Sequence, residues 1–122
     1  DWGVSRGLGD VYKRQLSISK SKILLRIGKK FEAEEIIRDQ LIRKNRDPEL
    51  WLLLSEIQRA GQNIVGYHQS KAEYFLLLGQ NEKALNQLEF ALQLTQNNFQ
   101  VSERIMTKIV DIKKVLNASR GL

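Results

Sequence analysis

The chain has 122 residues, and its 42% content of hydrophobic residues is typical of one folded domain rather than of a disordered segment. The absence of cysteine excludes disulfides, thiolate zinc sites and a cysteine nucleophile. The formal net charge is +6, but acidic residues are interleaved with the basic ones, so we expect no nucleic-acid partner.

The first fifteen residues, DWGVSRGLGDVYKRQ, differ from the rest of the chain. They contain three glycines and show no helical period, which favours a disordered leader over residues 1–15. Residues 5–15, SRGLGDVYKRQ, resemble the in-frame translation of a transposase-based sequencing adapter. That resemblance implies a non-native segment and a natural chain that extends upstream of Leu16. We therefore predict that the domain occupies residues 16–122.

Six amphipathic stretches follow, separated by short connections. Apolar residues recur at spacings of three and four, which predicts helices over residues 18–27, 31–45, 49–60, 63–78, 82–95 and 100–117. Asp47 and Pro48 predict a helix start, with Asp as the N-cap and Pro at the first helical position. Because short connections make neighbouring helices antiparallel, the predicted fold class is all-α, built from helix hairpins.

One sequence pattern occurs three times: an apolar helix, a glycine, and a small residue five positions later. The pairs are Gly28 with Ala33, Gly61 with Gly66 and Gly79 with Ala84. Glycine permits a tight reversal, and the small residue lets the second helix approach the first. The interval from Gly28 to Gly61 is 33 residues, near the tetratricopeptide period of about 34, whereas Gly61 to Gly79 is 18. We predict a short tetratricopeptide-like solenoid, in which the helix over residues 63–78 is shared by two repeats.

A closer resemblance covers residues 28–116. The order GKKFEAEEIIRDQL, DPELWLLLSEIQRAGQ and HQSKAEYFLLLGQNEKALNQLEFALQL, followed by a long terminal helix, is similar to the C-terminal repeat tail of the periplasmic beta-barrel assembly-enhancing proteases. Members of this family are zinc metallopeptidases with an HExxH helix. The resemblance implies a periplasmic parent enzyme whose tail docks on outer-membrane assembly machinery or on its clients. This chain has no HExxH and one histidine, His68, so zinc would belong to the parent and we predict no catalytic, metal or cofactor site here.

The leading functional hypothesis is therefore a module that binds a protein or peptide partner. A peptide groove would be lined by the concave side of the solenoid, and the candidate partner-binding residues are Gln58, Tyr67, Lys71 and Tyr74. The alternative is an unrelated tetratricopeptide scaffold or adaptor, with a cytoplasmic location. A self-contained enzyme is disfavoured because no nucleophile motif or carboxylate pair suited to acid–base chemistry is evident. No apolar run reaches the roughly 20 residues of a membrane helix, so no transmembrane segment is predicted.

Overall fold

The protein was analysed as a computed structural model that describes residues 2–121, with side chains from residue 7 onward. This range contains six α-helices and no strand, which confirms the all-α prediction. The helices are α1 (Trp2–Arg26), α2 (Lys30–Arg43), α3 (Pro48–Ala60), α4 (Ile64–Leu77), α5 (Asn81–Gln93) and α6 (Phe99–Ser119). Each helix packs against the next one in sequence, and α1 also contacts α3. Short connections and sequential packing give antiparallel hairpins stacked as a short solenoid, as predicted.

The helices recur at a regular interval. The first four end at Arg26, Arg43, Ala60 and Leu77, which are 17 residues apart. Two such units make the tetratricopeptide period of about 34 residues. The short interval between the second and third glycine turns is therefore one half-repeat, with α4 occupying a full helical unit.

Three of the turns share one ending, in which a residue in the left-handed region follows the helix. Gly28 (φ 84°) and Gly79 (φ 74°) adopt this conformation, as glycine permits. At the turn between them the left-handed residue is Gln62 (φ 62°), while Gly61 has an ordinary φ of −82°. The prediction that Gly61 makes the reversal is wrong by one residue, because Gly61 continues the helical path as the C-cap. Gly28 and Gln62 are 34 residues apart.

The predicted start of α3 is confirmed. Asp47 is the N-cap, and its side chain accepts a hydrogen bond from the Glu49 backbone N–H at 3.1 Å. Pro48 occupies the first helical position, where no intrahelical donor is needed.

The buried apolar residues form two clusters. The cluster of the first half lies among α1, α2 and α3 and contains Ile18, Ala33, Ile37, Leu41, Leu50, Leu53, Leu54 and Ile57. The cluster of the second half lies among α4, α5 and α6 and contains Ala72, Ala84, Leu88, Ala91, Ile105, Ile109 and Ile112. Where α3 meets α4, small and polar residues are buried instead: Ser55, Gln58, Gly66 and Ser70. We call this contact between the halves the α3–α4 seam.

The N-terminal segment differs from expectation in its conformation. Residues 2–15 form the first part of α1 rather than an irregular leader, and Asp1 lies outside the described residues. Arg14 contacts the start of α3: Nε lies 2.6 Å from Asp47 Oδ2, and Nη2 lies 2.7 Å from Glu49 Oε2. The hydrogen bond from Arg14 lowers the pKa of the Asp47 carboxyl. The non-native origin of residues 5–15 stays a prediction.

Candidate functional site

A groove crosses the α3–α4 seam, and we call it the central groove. Its middle section has a volume of about 300 Å³ and is lined by α2 to α6, through side chains that include Arg38, Trp51, Gln58, Gln69, Leu88 and Arg104. A second section of about 340 Å³ shares Arg38 and Trp51 and extends to Ile42 at the end of α2. A third section of about 400 Å³ shares Gln69 and extends to Leu94 after α5. The three sections form one elongated depression.

The floor of the groove includes one face of α4. Gly66, Gln69, Ser70 and Glu73 are spaced by three, one and three residues, which places them on the same side of the helix. Gly66 allows α3 and α4 to approach closely, because a Cβ here would lie 2.6 Å from the Gln58 side-chain amide and 2.5 Å from that of Asn63. Asn63 is the N-cap of α4, and its Oδ1 accepts a hydrogen bond from the Gly66 N–H at 3.0 Å.

Gln58, one of the predicted partner-binding residues, lies in this floor and is only 4% exposed. Its amide is oriented so that both ends are satisfied. Nε2 then donates to Ser70 Oγ at 2.6 Å and to the Gly66 carbonyl at 2.9 Å, and Oε1 accepts from Arg38 Nη2 at 3.2 Å. Arg38 Nε also donates to Glu34 Oε2 at 2.7 Å. The buried amide therefore fixes one guanidinium at the side of the groove.

The charged lining of the groove is predominantly basic. Arg38, Arg104 and Lys108 line its middle section with a single carboxylate, Glu73. Lys108 Nζ lies 3.1 Å from Glu73 Oε1. Arg104 is exposed and joins no ion pair among the residues that the structure describes.

Apolar side chains lie between these charges. Trp51, Leu54, Leu88 and Ile105 line the same section. The Trp51 indole Nε1 donates to the Asn45 carbonyl at 2.7 Å, which fixes the orientation of the ring. The groove thus presents held apolar and cationic groups together, an arrangement suited to recognition of an amphipathic ligand.

The other three predicted binding residues lie on a different face of α4. The Arg59 guanidinium lies 5.8 Å from the centroid of the Tyr67 ring. Lys71 Nζ lies 5.7 Å from the centroid of Tyr74 and 5.2 Å from that of Phe75. Tyr67, Lys71 and Tyr74 do not line the central groove, and their role in binding stays a prediction.

This second face of α4 departs from the pattern of its neighbour. The residues 17 positions before Tyr67, Lys71 and Tyr74 are all buried in the core of the first half: Leu50, Leu54 and Ile57. On α4 the corresponding side chains are only half-buried. The polar and aromatic residues here replace apolar core residues because this face of α4 is not fully covered by its neighbours.

Sequence reasoning missed most of the groove. It did not identify Arg38, Gln69, Glu73, Arg104 or Lys108, which all line the middle section. The spacing of the polar and small residues on α4 was the one available signal. The side walls on α2 and α6 carry no such signal, because they adjoin the floor only through tertiary packing.

His68 takes part in a local contact outside the groove. Its Nδ1 lies 2.8 Å from Gln87 Oε1, and its ring stands 5.0 Å from Tyr67 and 5.5 Å from Phe90. Within residues 2–121 no three histidine or carboxylate side chains come together as a metal site. None of the six helices described is long and apolar enough to cross a membrane.

Comparison with known proteins gives little further information. No family model matches the sequence, and no curated protein matches it. Among solved structures, the chain is similar to the type III secretion translocator chaperone SycD of Yersinia enterocolitica. The identity is 17%, the match covers 84% of this chain and 85% of that chain, and the TM-score is 0.45. A similarity this low carries no argument about function.

Proposed function

We propose that the chain is a protein-interaction module that holds a segment of a partner protein in the central groove. The observation that carries this proposal is the extent of the groove: three joined sections of about 340, 300 and 400 Å³. A single section matches the lower end of the size range of small-ligand sites, from about 300 Å³ upward. Three sections in series suit a run of side chains from a peptide rather than one small molecule.

The chemistry of the lining also favours binding. Ser70, the hydroxyl in the floor, is engaged by the buried Gln58 amide. The sole histidine, His68, lies outside the groove, so no nucleophile–base pair forms within it. Trp51 is a half-buried aromatic of the kind that anchors bound segments.

Filling the junction of two groove sections tests the proposal. Gln69 lines both the middle and the third section, so a tryptophan at this position would obstruct both. Gln93→Trp is the matched control, because Gln93 is an exposed glutamine at the end of α5 outside these sections. Each immobilised full chain would be screened with a random displayed peptide library, after circular dichroism shows equal helicity.

We expect the original chain and Gln93→Trp to enrich a common set of peptides that Gln69→Trp no longer retains. Enrichment that is unchanged by Gln69→Trp would place binding elsewhere. No enrichment above the blank support would refute the docking function itself.

A finer assignment rests on the resemblance of residues 28–116 alone. We propose that the module is the tail of a periplasmic zinc metallopeptidase that takes part in outer-membrane protein assembly and quality control. The genomic reading frame upstream of Leu16 tests this assignment, and we expect it to encode a signal peptide and an HExxH helix. A frame with neither would favour the unrelated scaffold with a cytoplasmic location. The groove proposal does not depend on that outcome.

A further inference from the structure

The basic groups of the central groove stand on both sides of its floor. Arg38 belongs to α2 and Arg104 to α6, two helices that do not contact each other. The floor between them is formed by α3 and α4. A segment that lies along the floor therefore passes between two guanidinium groups.

The charges of the groove do not cancel. Its middle section contains three cations and one carboxylate, Glu73, which pairs with Lys108 at 3.1 Å. Arg38 has one partner carboxylate, Glu34 on its own helix. Arg104 has no ion-pair partner within the described range. An exposed cation of this kind gains little for the stability of the fold, and it is available to a ligand.

The orientation of Arg38 is set by a group that the hydrophobic core does not require. The Gln58 amide is almost fully buried, and its oxygen accepts from Arg38 Nη2 at 3.2 Å. A buried amide is unfavourable unless its hydrogen bonds are made, and a leucine would fill the same space without that requirement. A guanidinium held in one orientation is suited to carboxylate, which it binds through two parallel N–H groups. Gln58 therefore acts as a positioning residue.

From these three features we propose that the partner segment is acidic. Its carboxylates contact Arg38 and Arg104, and the apolar side chains between them pack against Trp51, Leu54 and Ile105. This inference rests on the proposed docking function and names the class of partner. A protein segment is favoured over a nucleic acid because the cations are set among aliphatic groups rather than along a row of stacking aromatics.

Reversal of one charge tests the inference. Arg104→Glu changes an exposed residue, so the fold should be retained, and Lys114→Glu is the matched control with the same change in net charge on the same helix. The peptide selection is repeated on both variants and on the original chain. We expect aspartate and glutamate to be enriched with the original chain and with Lys114→Glu. With Arg104→Glu the enrichment should move toward lysine and arginine.

Affinity then gives the magnitude. For one selected acidic peptide, fluorescence anisotropy should show about tenfold weaker binding to Arg104→Glu, and the difference should shrink as salt is added. A glutamine analogue of the peptide should lose a similar factor on the original chain. Gln58→Leu tests the positioning role: it should reduce the preference for the acidic peptide over its glutamine analogue, while a merely structural role would weaken both equally.

The outcomes separate the two proposals. Peptides that depend on an open groove but show no excess of acidic residues would overturn the acidic-partner inference and leave docking intact. Acidic peptides whose binding is insensitive to Arg104→Glu would also overturn it. Binding of an oligothymidylate that Arg104→Glu abolishes and Lys114→Glu does not would assign the groove to nucleic acid instead. If the original chain enriches no peptide, the docking function itself fails.

Discussion

Replacing Gly66 by alanine tests the close approach of the two helices beneath the groove. The new Cβ would lie 2.5 Å from the Asn63 amide and 2.6 Å from the Gln58 amide. Both groups are the ends of flexible side chains, so they would move aside, and the penalty is the loss of the hydrogen bonds that they make. The lost cap of α4 costs about 1 kcal/mol. Disturbing the buried bonds of Gln58 costs a further ~1–3 kcal/mol.

Alanine also has a favourable effect at this position. It is a better helix former than glycine by about 1 kcal/mol, which offsets part of the loss. The expected net result for Gly66→Ala is a decrease of about 1–3 kcal/mol in the free energy of unfolding. Urea denaturation followed by far-ultraviolet circular dichroism would measure it, provided that the slope with denaturant is unchanged.

Two further variants make this measurement specific. Gly9→Ala in α1 places a Cβ that meets nothing within 4 Å, so it should be neutral or stabilising. Asn63→Ser keeps a capping hydroxyl but shortens the side chain that the new methyl group would meet. Gly66→Ala should therefore cost less in the Asn63→Ser background, and a double-mutant cycle would give the coupling. If Gly66→Ala is as stable as the original chain in both backgrounds, the hydrogen-bond argument is wrong.

Three other predictions concern stability. Arg14→Ala should cost about 1 kcal/mol near neutral pH, because the ion pair with Asp47 is partly shielded. Since the folded pKa of Asp47 lies below its ordinary value of 3.8, this contribution is present above pH 3.8 and is lost as the pH falls through the folded pKa. The unfolding curves of the two proteins should converge in acid, and a constant difference would contradict the assignment. Gln62→Gly should raise stability by about 0.5 kcal/mol by relieving the left-handed φ, and a lower urea midpoint would refute this. Ile57→Ala, at 1% exposure, should cost about 3 kcal/mol, whereas Phe31→Ala, at 89% exposure, should change stability by less than about 0.5 kcal/mol in thermal and urea melts. Equal effects of the last two would contradict the assigned core.

Local physical chemistry made much of the fold predictable from the sequence. Helix type and number follow from the spacing of apolar residues, and the start of α3 follows from Asp47 and Pro48, whose capping and fixed φ act within a few residues. Gly28 and Gly79 mark two reversals because few other residues adopt a positive φ at low cost. These features depend on neighbours in the chain, so the sequence alone determined them.

The tertiary structure decided which faces meet and where the groove lies. Around α4 the polar residues allow two interpretations, and only the packing of α3 and α5 shows that Gln69 lines the groove while Tyr67 lies on another face. Arg38 and Arg104 are 66 residues apart in the sequence and flank one floor only because helices stack in between. Helical periodicity specifies how side chains are distributed around one helix. It does not specify which neighbour covers each side, since that depends on contacts distant in the chain.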